Sequence, residues 1–136
     1  MLKRVLTEKL HVCSQIRVEE ISTLAEQGYS TIINSRPDGE VRGQPTSAEV
    51  NAAARSVGIA YLYQPVSSKE ITTQEADRFI LAVDQAQGKV LAHCRTGTRT
   101  ATLWALSQRD KQSVDDILAT AKQMGYDLEF LRSRLT

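Results

Sequence analysis

The sequence predicts one α/β domain over residues 1–136, built on a compact, mainly parallel sheet of four to five strands with helices on both faces. Three observations carry this prediction. Short apolar runs of strand length alternate along the chain with longer segments whose apolar residues recur at helical spacing, as in a parallel α/β sheet. Capping boxes and glycines mark the ends of those longer segments. With 136 residues, 41% of them hydrophobic, the chain has the size of about one domain and can bury a core.

The first half of the chain contains three predicted strands and two predicted helices. The first helix covers residues 17–27 and ends before Gly28, a residue suited to the turn that follows a helix. The second begins at the Thr-Ser-Ala-Glu capping box of residues 46–49 and ends at Gly58. The predicted strands lie at residues 10–13, 31–33 and 59–63.

The second half of the chain continues the same alternation. A second capping box, Thr-Thr-Gln-Glu at residues 72–75, opens a helix with apolar residues at helical spacing, and Gly88 lies beyond its end. A fourth strand covers residues 89–93 and leads directly to Cys94. The remaining predicted helices lie at residues 100–109, 114–124 and, as a short segment, 128–134.

The composition excludes several classes of protein. Lys and Arg number 17 against 16 Asp and Glu, a formal net charge of +1, so we expect no nucleic-acid or membrane partner. No apolar run approaches the roughly 20 residues of a membrane-spanning helix. Residues 1–8 lack the apolar stretch of a secretion signal, so a cytoplasmic location is expected. The two cysteines and two histidines show no metal-ligand spacing, and we expect no metal, no cofactor and no disulfide.

The most informative segment is His-Cys-Arg-Thr-Gly-Thr-Arg-Thr at residues 93–100, between the fourth strand and a helix. A strand, a tight glycine-bearing loop and a helix together make an anion cradle, because loop N–H groups and the helix N-terminus point at one spot. A cysteine at the start of such a loop is held as a reactive thiolate, so Cys94 is the candidate nucleophile. The loop residues Arg95, Thr96, Gly97 and Thr98 are candidate contacts to the bound anion.

The residues around Cys94 suggest further roles. Arg99 is the candidate anion clamp, because a guanidinium can bind two oxygens side by side. Arg95 is either a second clamp or a residue that locks the loop from outside. Thr100 either donates its hydroxyl to the Cys94 sulfur or caps the helix. His93 is expected to brace the loop rather than act as a base, because successive side chains on a strand point to opposite faces.

Candidate residues also follow two other strands, whose carboxyl ends meet Cys94 at one edge of a parallel sheet. Arg36 is expected to contact the substrate and Asp38 to support the rim of the site, although an ordinary Asp-Gly turn explains them equally well.

Phosphate ester hydrolysis also needs a general acid. Glu70 is the nearest carboxylate on the loop that follows Pro65, with Asp38 and Asp77 as alternatives; a solvated charge near a helix start is the ordinary interpretation of Glu70. Cys13 lacks such surroundings, and we interpret it as a buried structural residue.

These segments resemble a known family. The Cys94 loop is similar to the His-Cys-x-x-Gly-x-x-Arg-Ser/Thr signature of protein tyrosine and dual-specificity phosphatases. The segments 12–15 and 31–38 also resemble that superfamily, and the segments 36–40, 64–66 and 94–99 resemble the bacterial phosphatase-like family that also occurs as a domain of beta-lactamase hydrolase-like proteins. The resemblance covers nearly the whole chain. It implies a cysteine-phosphatase fold and a phosphatase-like hydrolase in which Cys94 attacks a phosphate monoester held by residues 94–99.

The loop departs from the phosphatase signature in one respect. Four residues separate Cys94 from Arg99, where the signature has five, and Thr100 stands at the expected arginine position. The Cys-Arg-x-Gly-x-Arg spacing resembles the active loop of rhodanese sulfurtransferases, which carry a persulfide on the cysteine. The sequence therefore leaves three functions open: the phosphatase-like hydrolase, a sulfurtransferase with a sulfane-sulfur substrate, and a weakly catalytic module that binds an oxyanion or a phosphopeptide.

Overall fold

The computed structural model describes residues 3–136 and contains, within that range, a five-stranded sheet in the order β1-β2-β5-β3-β4. Strands β2 to β5 are parallel where they pair, and β1 pairs antiparallel with β2 at one edge. The predicted mainly parallel sheet is confirmed. The strands are β1 (Arg4–Val5), β2 (Leu10–Cys13), β3 (Tyr29–Asn34), β4 (Ala60–Tyr63) and β5 (Lys89–His93).

Five α-helices cover the sheet in the described range. Helices α2 and α3 begin where the sequence predicts, because Thr46 and Thr72 each accept a hydrogen bond from the backbone N–H of the glutamate three residues on. No helix among residues 3–136 combines the length and apolar character needed to cross a bilayer. The helices are α1 (Ile21–Glu26), α2 (Ser47–Ser56), α3 (Thr73–Gln85), α4 (Thr98–Ser107) and α5 (Val114–Gln123). Short 3₁₀ helices cover Val18–Glu20 and Glu129–Arg134.

The helices pack on both faces of the sheet, as predicted. On one face, Phe79 of α3 and Trp104 of α4 lie in a core with apolar residues of α5 and the C-terminal 3₁₀ helix. On the other, Ile21 of α1 and Val50 of α2 pack against Ile32 of β3. Strand β5 lies third in the five-stranded order, between β2 and β3, so its carboxyl end is held on both sides.

The elements next to Cys94 differ from prediction at their ends. Helix α4 begins at Thr98 rather than Thr100, because Gly97 adopts φ = +100° and is itself the residue that precedes the first turn. The first predicted helix opens as a 3₁₀ turn and becomes α-helical at Ile21. The earlier start of α4 brings the helix N-terminus two residues closer to Cys94 than the sequence pattern indicates.

Candidate active site

The loops that follow the parallel strands are joined by backbone hydrogen bonds. The Ser35 N–H donates to the His93 carbonyl at 2.9 Å, and the Val66 N–H donates to the Ser35 carbonyl at 2.9 Å. On the other side, the Gln15 N–H donates to the Arg95 carbonyl at 3.2 Å. The segments after β2, β3, β4 and β5 therefore converge on one edge of the sheet, around the loop that starts at Cys94.

Cys94 lines a cavity of about 520 Å³ at this edge. The thiol is buried, with 1% of the residue exposed, so the sulfur lies at the base of the cavity. The cavity is bounded by three stretches of chain: the Cys94 loop with the start of α4, the segment before α3, and the C-terminal 3₁₀ helix. Its other lining residues are Ser68, Lys69, Glu70, Ile71, Arg95, Thr96, Thr98, Arg99, Thr102, Phe130, Leu131 and Arg134.

The Cys94 sulfur accepts a hydrogen bond from the Gly97 backbone N–H at 3.1 Å. Gly97 immediately precedes α4, whose first N–H groups have no partners within the helix and carry positive partial charge. The same glycine lies against Tyr126: a Cβ at position 97 would be 2.3 Å from the tyrosine hydroxyl oxygen. A glycine is therefore required here both by the positive φ and by the contact with Tyr126, and the resulting loop directs a backbone donor at the Cys94 sulfur.

Arg99 is buried, and protein acceptors occupy both terminal nitrogens of its guanidinium. Nη1 donates to the Val66 carbonyl at 3.0 Å and to the Ser35 carbonyl at 3.4 Å. Nη2 donates to Glu40 at 3.2 Å. Nε is buried and makes no hydrogen bond to another described group. Arg99 thus lines the cavity with its Nε uncommitted, while both of its terminal nitrogens contact Glu40.

Glu40 is the site residue that sequence reasoning missed. Its carboxylate lies between two buried guanidinium groups, 2.9 Å from Arg36 Nε and 3.0 Å from Arg99 Nη1, while its own side chain is 25% exposed. Burial alone would raise the pKa of the Glu40 carboxyl, but hydrogen bonds from Arg99 and Arg36 outweigh it and lower the pKa. A signal was present in the sequence, since two arginines expected near one sheet edge need a carboxylate when they are buried.

Arg36 does not line the cavity, contrary to the expectation of a substrate contact. It is 3% exposed, and its guanidinium donates to Glu40 and, through Nη1, to Gln15 Oε1 at 3.0 Å. Its backbone N–H donates to the Asn34 side chain at 2.8 Å. Arg36 therefore ties the loops after β2 and β3 together behind the site. The physical reason is that Glu40 offers a fixed, partly buried partner for its charge.

Asp38 also lies away from the cavity. Its carboxylate accepts hydrogen bonds from the Ser47 backbone N–H at 2.8 Å and from the Ser47 hydroxyl at 2.9 Å, at the start of α2. Its own N–H donates to the Tyr63 hydroxyl. These contacts hold Asp38 to the first turn of α2, where a negative charge is favourable, and Asp38 is not among the residues that line the cavity.

Thr100 and His93 are both buried beside the loop. Thr100 is the third residue of α4 rather than its cap, and its hydroxyl forms no hydrogen bond to any described group, the Cys94 sulfur included. His93 Nδ1 is 3.4 Å from the Cys94 carbonyl oxygen. Burial lowers the pKa of His93 to about 4. The imidazole is therefore neutral at physiological pH and is placed to support the Cys94 backbone.

Of the three carboxylates considered as a general acid, Glu70 is the one that lines the cavity with Cys94. Asp77 is bound on the surface by Arg109, with oxygen–nitrogen distances of 3.0 and 3.2 Å. Asp38 is engaged at the start of α2. Within residues 3–136, no three His, Cys, Asp or Glu side chains form a group that could hold a metal ion.

The second cysteine differs from Cys94 in its surroundings. Cys13 ends β2, pairs in register with His93 and is fully buried among apolar side chains. Burial strongly raises the pKa of the Cys13 thiol, and the neighbouring Cys94 raises it further. Cys13 does not line the cavity. Its position fits the structural role expected from the sequence.

The chain is similar to known proteins over most of its length. Residues 3–111 match a family model described as the phosphatase-like domain of beta-lactamase hydrolase-like protein. A beta-lactamase hydrolase-like protein of Xylella fastidiosa is 38% identical over 125 residues, which is 90% of this chain and 29% of that protein. The chain thus spans less than a third of the length of that curated relative.

Solved structures place the fold among cysteine phosphatases. A candidate phosphatase from Neisseria meningitidis superposes with a TM-score of 0.87 and 34% identity, covering 97% of this chain and 94% of that one. The core catalytic domain of the PP-IP phosphatase SIW14 from Saccharomyces cerevisiae superposes with a TM-score of 0.74 and 16% identity, covering 98% and 82%. The second likeness concerns the fold alone.

Proposed function

Because the chain belongs to the phosphatase-like domain family of beta-lactamase hydrolase-like proteins, we propose that it is a cysteine-dependent phosphatase that hydrolyses a phosphate monoester. In this proposal Cys94 is the nucleophile, Arg99 and the backbone N–H groups of residues 95–98 bind the phosphate, and Glu70 is the general acid. The proposal concerns this domain, since the relatives carry much additional chain. A cytoplasmic location is proposed with it, from the sequence alone.

The observation that carries the proposal is the hydrogen bond from the Gly97 N–H to the Cys94 sulfur at the base of the cavity. A cysteine sulfur that accepts a backbone N–H at the start of a helix is the arrangement found at nucleophilic cysteines. The thiolate attacks phosphorus and forms a phosphocysteine while the ester oxygen leaves. Water then attacks the phosphocysteine, which releases inorganic phosphate and restores the thiolate.

Arg99 supplies positive charge next to the loop. Glu40 and two backbone carbonyls fix its guanidinium, so its position is set before the substrate binds. The uncommitted Nε can donate to a phosphate oxygen, and the loop N–H groups can take the others. Transition-state charge is then stabilised by several donors around the anion rather than by one bidentate arginine.

Glu70 is proposed to protonate the leaving oxygen, because its side chain borders the cavity above Cys94. In the second step the resulting carboxylate can accept a proton from the attacking water. Proton transfer in both steps is then served by one residue. His93 does not compete for this role, since burial keeps it neutral behind the loop.

A sulfurtransferase is the second candidate, and a specific observation favours it. Four residues separate Cys94 from Arg99, which is the spacing of the rhodanese loop and one residue shorter than the phosphatase signature. In this reaction the Cys94 thiolate attacks the outer sulfur of thiosulfate, the S–S bond breaks and sulfite leaves. The resulting persulfide passes its sulfur to an acceptor thiol.

The two candidates are separated by the covalent state of Cys94. The wild-type protein and Cys94→Ser are incubated briefly with phenyl phosphate or with thiosulfate, quenched in acid and weighed intact by mass spectrometry. We expect the wild-type protein to gain a phosphoryl group and release phosphate, and the serine variant to release none. A gain of one sulfur atom from thiosulfate, with no phosphate release, would replace the phosphatase by the sulfurtransferase. Phosphate binding without any turnover would leave an oxyanion-binding module.

A further inference from the structure

Positive charge is concentrated at the cavity in a chain that is otherwise close to neutral. The whole sequence carries 17 basic against 16 acidic residues. The cavity lining contains four basic residues and one carboxylate, Glu70. Arg99 already faces a carboxylate, Glu40, which it shares with Arg36. The surplus therefore comes from the other three basic residues: Lys69, Arg95 and Arg134.

These three cations come from different parts of the chain and stand around the mouth of the cavity. Lys69 precedes α3, Arg95 belongs to the Cys94 loop, and Arg134 ends the C-terminal 3₁₀ helix. All three are exposed, and none makes an ion pair with another group of residues 3–136. Arg134 is positioned by a 2.7 Å hydrogen bond from Nη2 to the Ile71 carbonyl, which leaves its other donors uncommitted.

The neighbouring Arg132 behaves differently. It lies on the same 3₁₀ helix but outside the cavity lining, and it binds Glu129 and Asp115 at 2.6 and 2.9 Å. The C-terminal 3₁₀ helix thus carries two arginines in different settings. Arg132 is paired with carboxylates on the surface, whereas Arg134 lines the cavity without a carboxylate partner in residues 3–136. In a cleft, uncompensated charges of one sign raise the local concentration of a ligand of the opposite sign.

We propose that the cavity binds a small phosphate monoester carrying a second phosphate group, which Lys69, Arg95 and Arg134 hold while the first phosphate lies on the Cys94 loop. This inference rests on the proposed phosphatase function, whose substrate class it names. The volume of about 520 Å³ suits a small organic molecule rather than a single oxyanion. A single phosphate on the loop would leave the three cations at the mouth without a partner.

The test compares two probes that differ by one phosphate, propyl phosphate and propane-1,3-diol bisphosphate. Their kcat/KM is measured with the wild-type protein, Lys69→Gln, Arg134→Gln and, as the matched control, Arg132→Gln. Their binding to Cys94→Ser is measured by calorimetry, which needs no turnover. We expect the bisphosphate to bind about tenfold more tightly, the scale of two or three partly exposed charge contacts. The preference should shrink as salt is raised.

The variants assign that preference to the cavity mouth. The ratio of the two kcat/KM values should fall about threefold in Lys69→Gln and in Arg134→Gln, and stay at the wild-type value in Arg132→Gln. If Arg134→Gln does not fold, Lys69→Gln still tests the proposal. The Lys69 side chain makes no hydrogen bond within residues 3–136, so its replacement should not disturb the fold. A fall in Arg132→Gln as large as in the other two variants would overturn the assignment.

Failure of this inference is distinguishable from failure of the phosphatase proposal. Equal affinity of Cys94→Ser for the two probes, with turnover of both by the wild-type protein, overturns the second-phosphate site alone. Tighter binding of the bisphosphate without turnover of either probe supports the site and overturns the phosphatase. A phosphotyrosine peptide that binds more tightly than the bisphosphate would also overturn the small-molecule proposal.

Discussion

The Glu40 carboxylate lies 3.0 Å from Arg99 Nη1, across 59 residues of sequence, and also binds Arg36 at 2.9 Å. The three side chains connect the loop after β3 with the first turn of α4. Removal of the Glu40 carboxylate would leave two buried guanidinium groups without a carboxylate partner, which costs more than the loss of a surface pair.

Glu40→Gln should therefore lower the free energy of unfolding by about 2 kcal/mol, less than the roughly 3–5 kcal/mol of a fully buried pair. It should also lower phosphate ester turnover about tenfold or more, because Arg99 loses its fixed position. Urea unfolding and steady-state kinetics measure both effects. Asp77→Asn, which breaks the surface pair with Arg109, is the control and should lower the free energy of unfolding far less, because exposed ion pairs contribute little. Equal costs in the two variants would contradict the proposed role of Glu40.

Gly97→Ala should abolish turnover. It should also lower the free energy of unfolding by more than a non-glycine residue at positive φ costs by itself. The added Cβ would lie 2.3 Å from the Tyr126 hydroxyl oxygen, so the loop or the tyrosine must move. Gly58→Ala is the matched control, since Gly58 has φ = +79° and nothing lies within 4 Å of its added Cβ. The control should lower the free energy of unfolding by about 1–2 kcal/mol and keep full activity. If the two variants lose the same amount of thermal stability and the same fraction of turnover, the Tyr126 contact does not explain the effect of Gly97→Ala.

Stability should fall in acid because of His93. Burial lowers its native pKa to about 4, whereas an unfolded histidine has a pKa of about 6.5. The unfolded state therefore binds the proton first as pH falls, and stability is lost between about pH 6.5 and pH 4, by about 3 kcal/mol in total. His93→Asn should remove most of this loss in urea titrations at pH 7.5 and pH 5. Burial also lowers the pKa of His11. Because His11 is present in both the wild-type protein and His93→Asn, its contribution cancels from the comparison. An unchanged pH dependence in His93→Asn would exclude the buried neutral imidazole.

Iodoacetamide should modify Cys94 and spare Cys13 in the folded protein. Cys94 lines the cavity and its sulfur accepts the Gly97 N–H, whereas Cys13 is fully buried with a raised pKa. Peptide mass mapping after brief alkylation gives the ratio, and the same reaction in urea should modify both residues. Inorganic phosphate should slow the reaction of Cys94. Equal labelling of the two cysteines without denaturant would contradict the assignment of Cys94 as the accessible nucleophile.

Glu70→Gln should affect poor leaving groups more than good ones. A general acid contributes about a hundredfold or more when an alkoxide must be protonated, and far less when nitrophenolate leaves. Turnover of propyl phosphate should therefore fall about a hundredfold, and that of p-nitrophenyl phosphate only slightly. Asp77→Asn, the other candidate outside the cavity, should leave both rates unchanged. A uniform loss with both esters would indicate that Glu70 binds the substrate rather than protonating it.

Short sequence motifs made the helix starts and the position of the Cys94 loop predictable. The capping boxes at Thr46 and Thr72 locate two helices, and the glycine in the Cys94 loop marks the turn that creates the cradle. The roles of Arg36 and Asp38 were not predictable in this way, because each depends on a partner that the fold supplies. Arg36 binds Glu40 on its own loop and Gln15 on the loop after β2, and a sequence pattern does not show how those two loops lie relative to each other.

The family match ends at residue 111, whereas Phe130 and Arg134 line the cavity from beyond it. Cys94 and its loop follow the middle strand of the sheet, and part of the cavity wall is contributed by a C-terminal segment that hydrogen bonds to Ile71. In the proposed function, the reacting thiol and part of the ligand-binding surface thus lie in separate stretches of the chain. An exchange of residues 129–134 between relatives is then expected to change ligand preference while Cys94 keeps its surroundings.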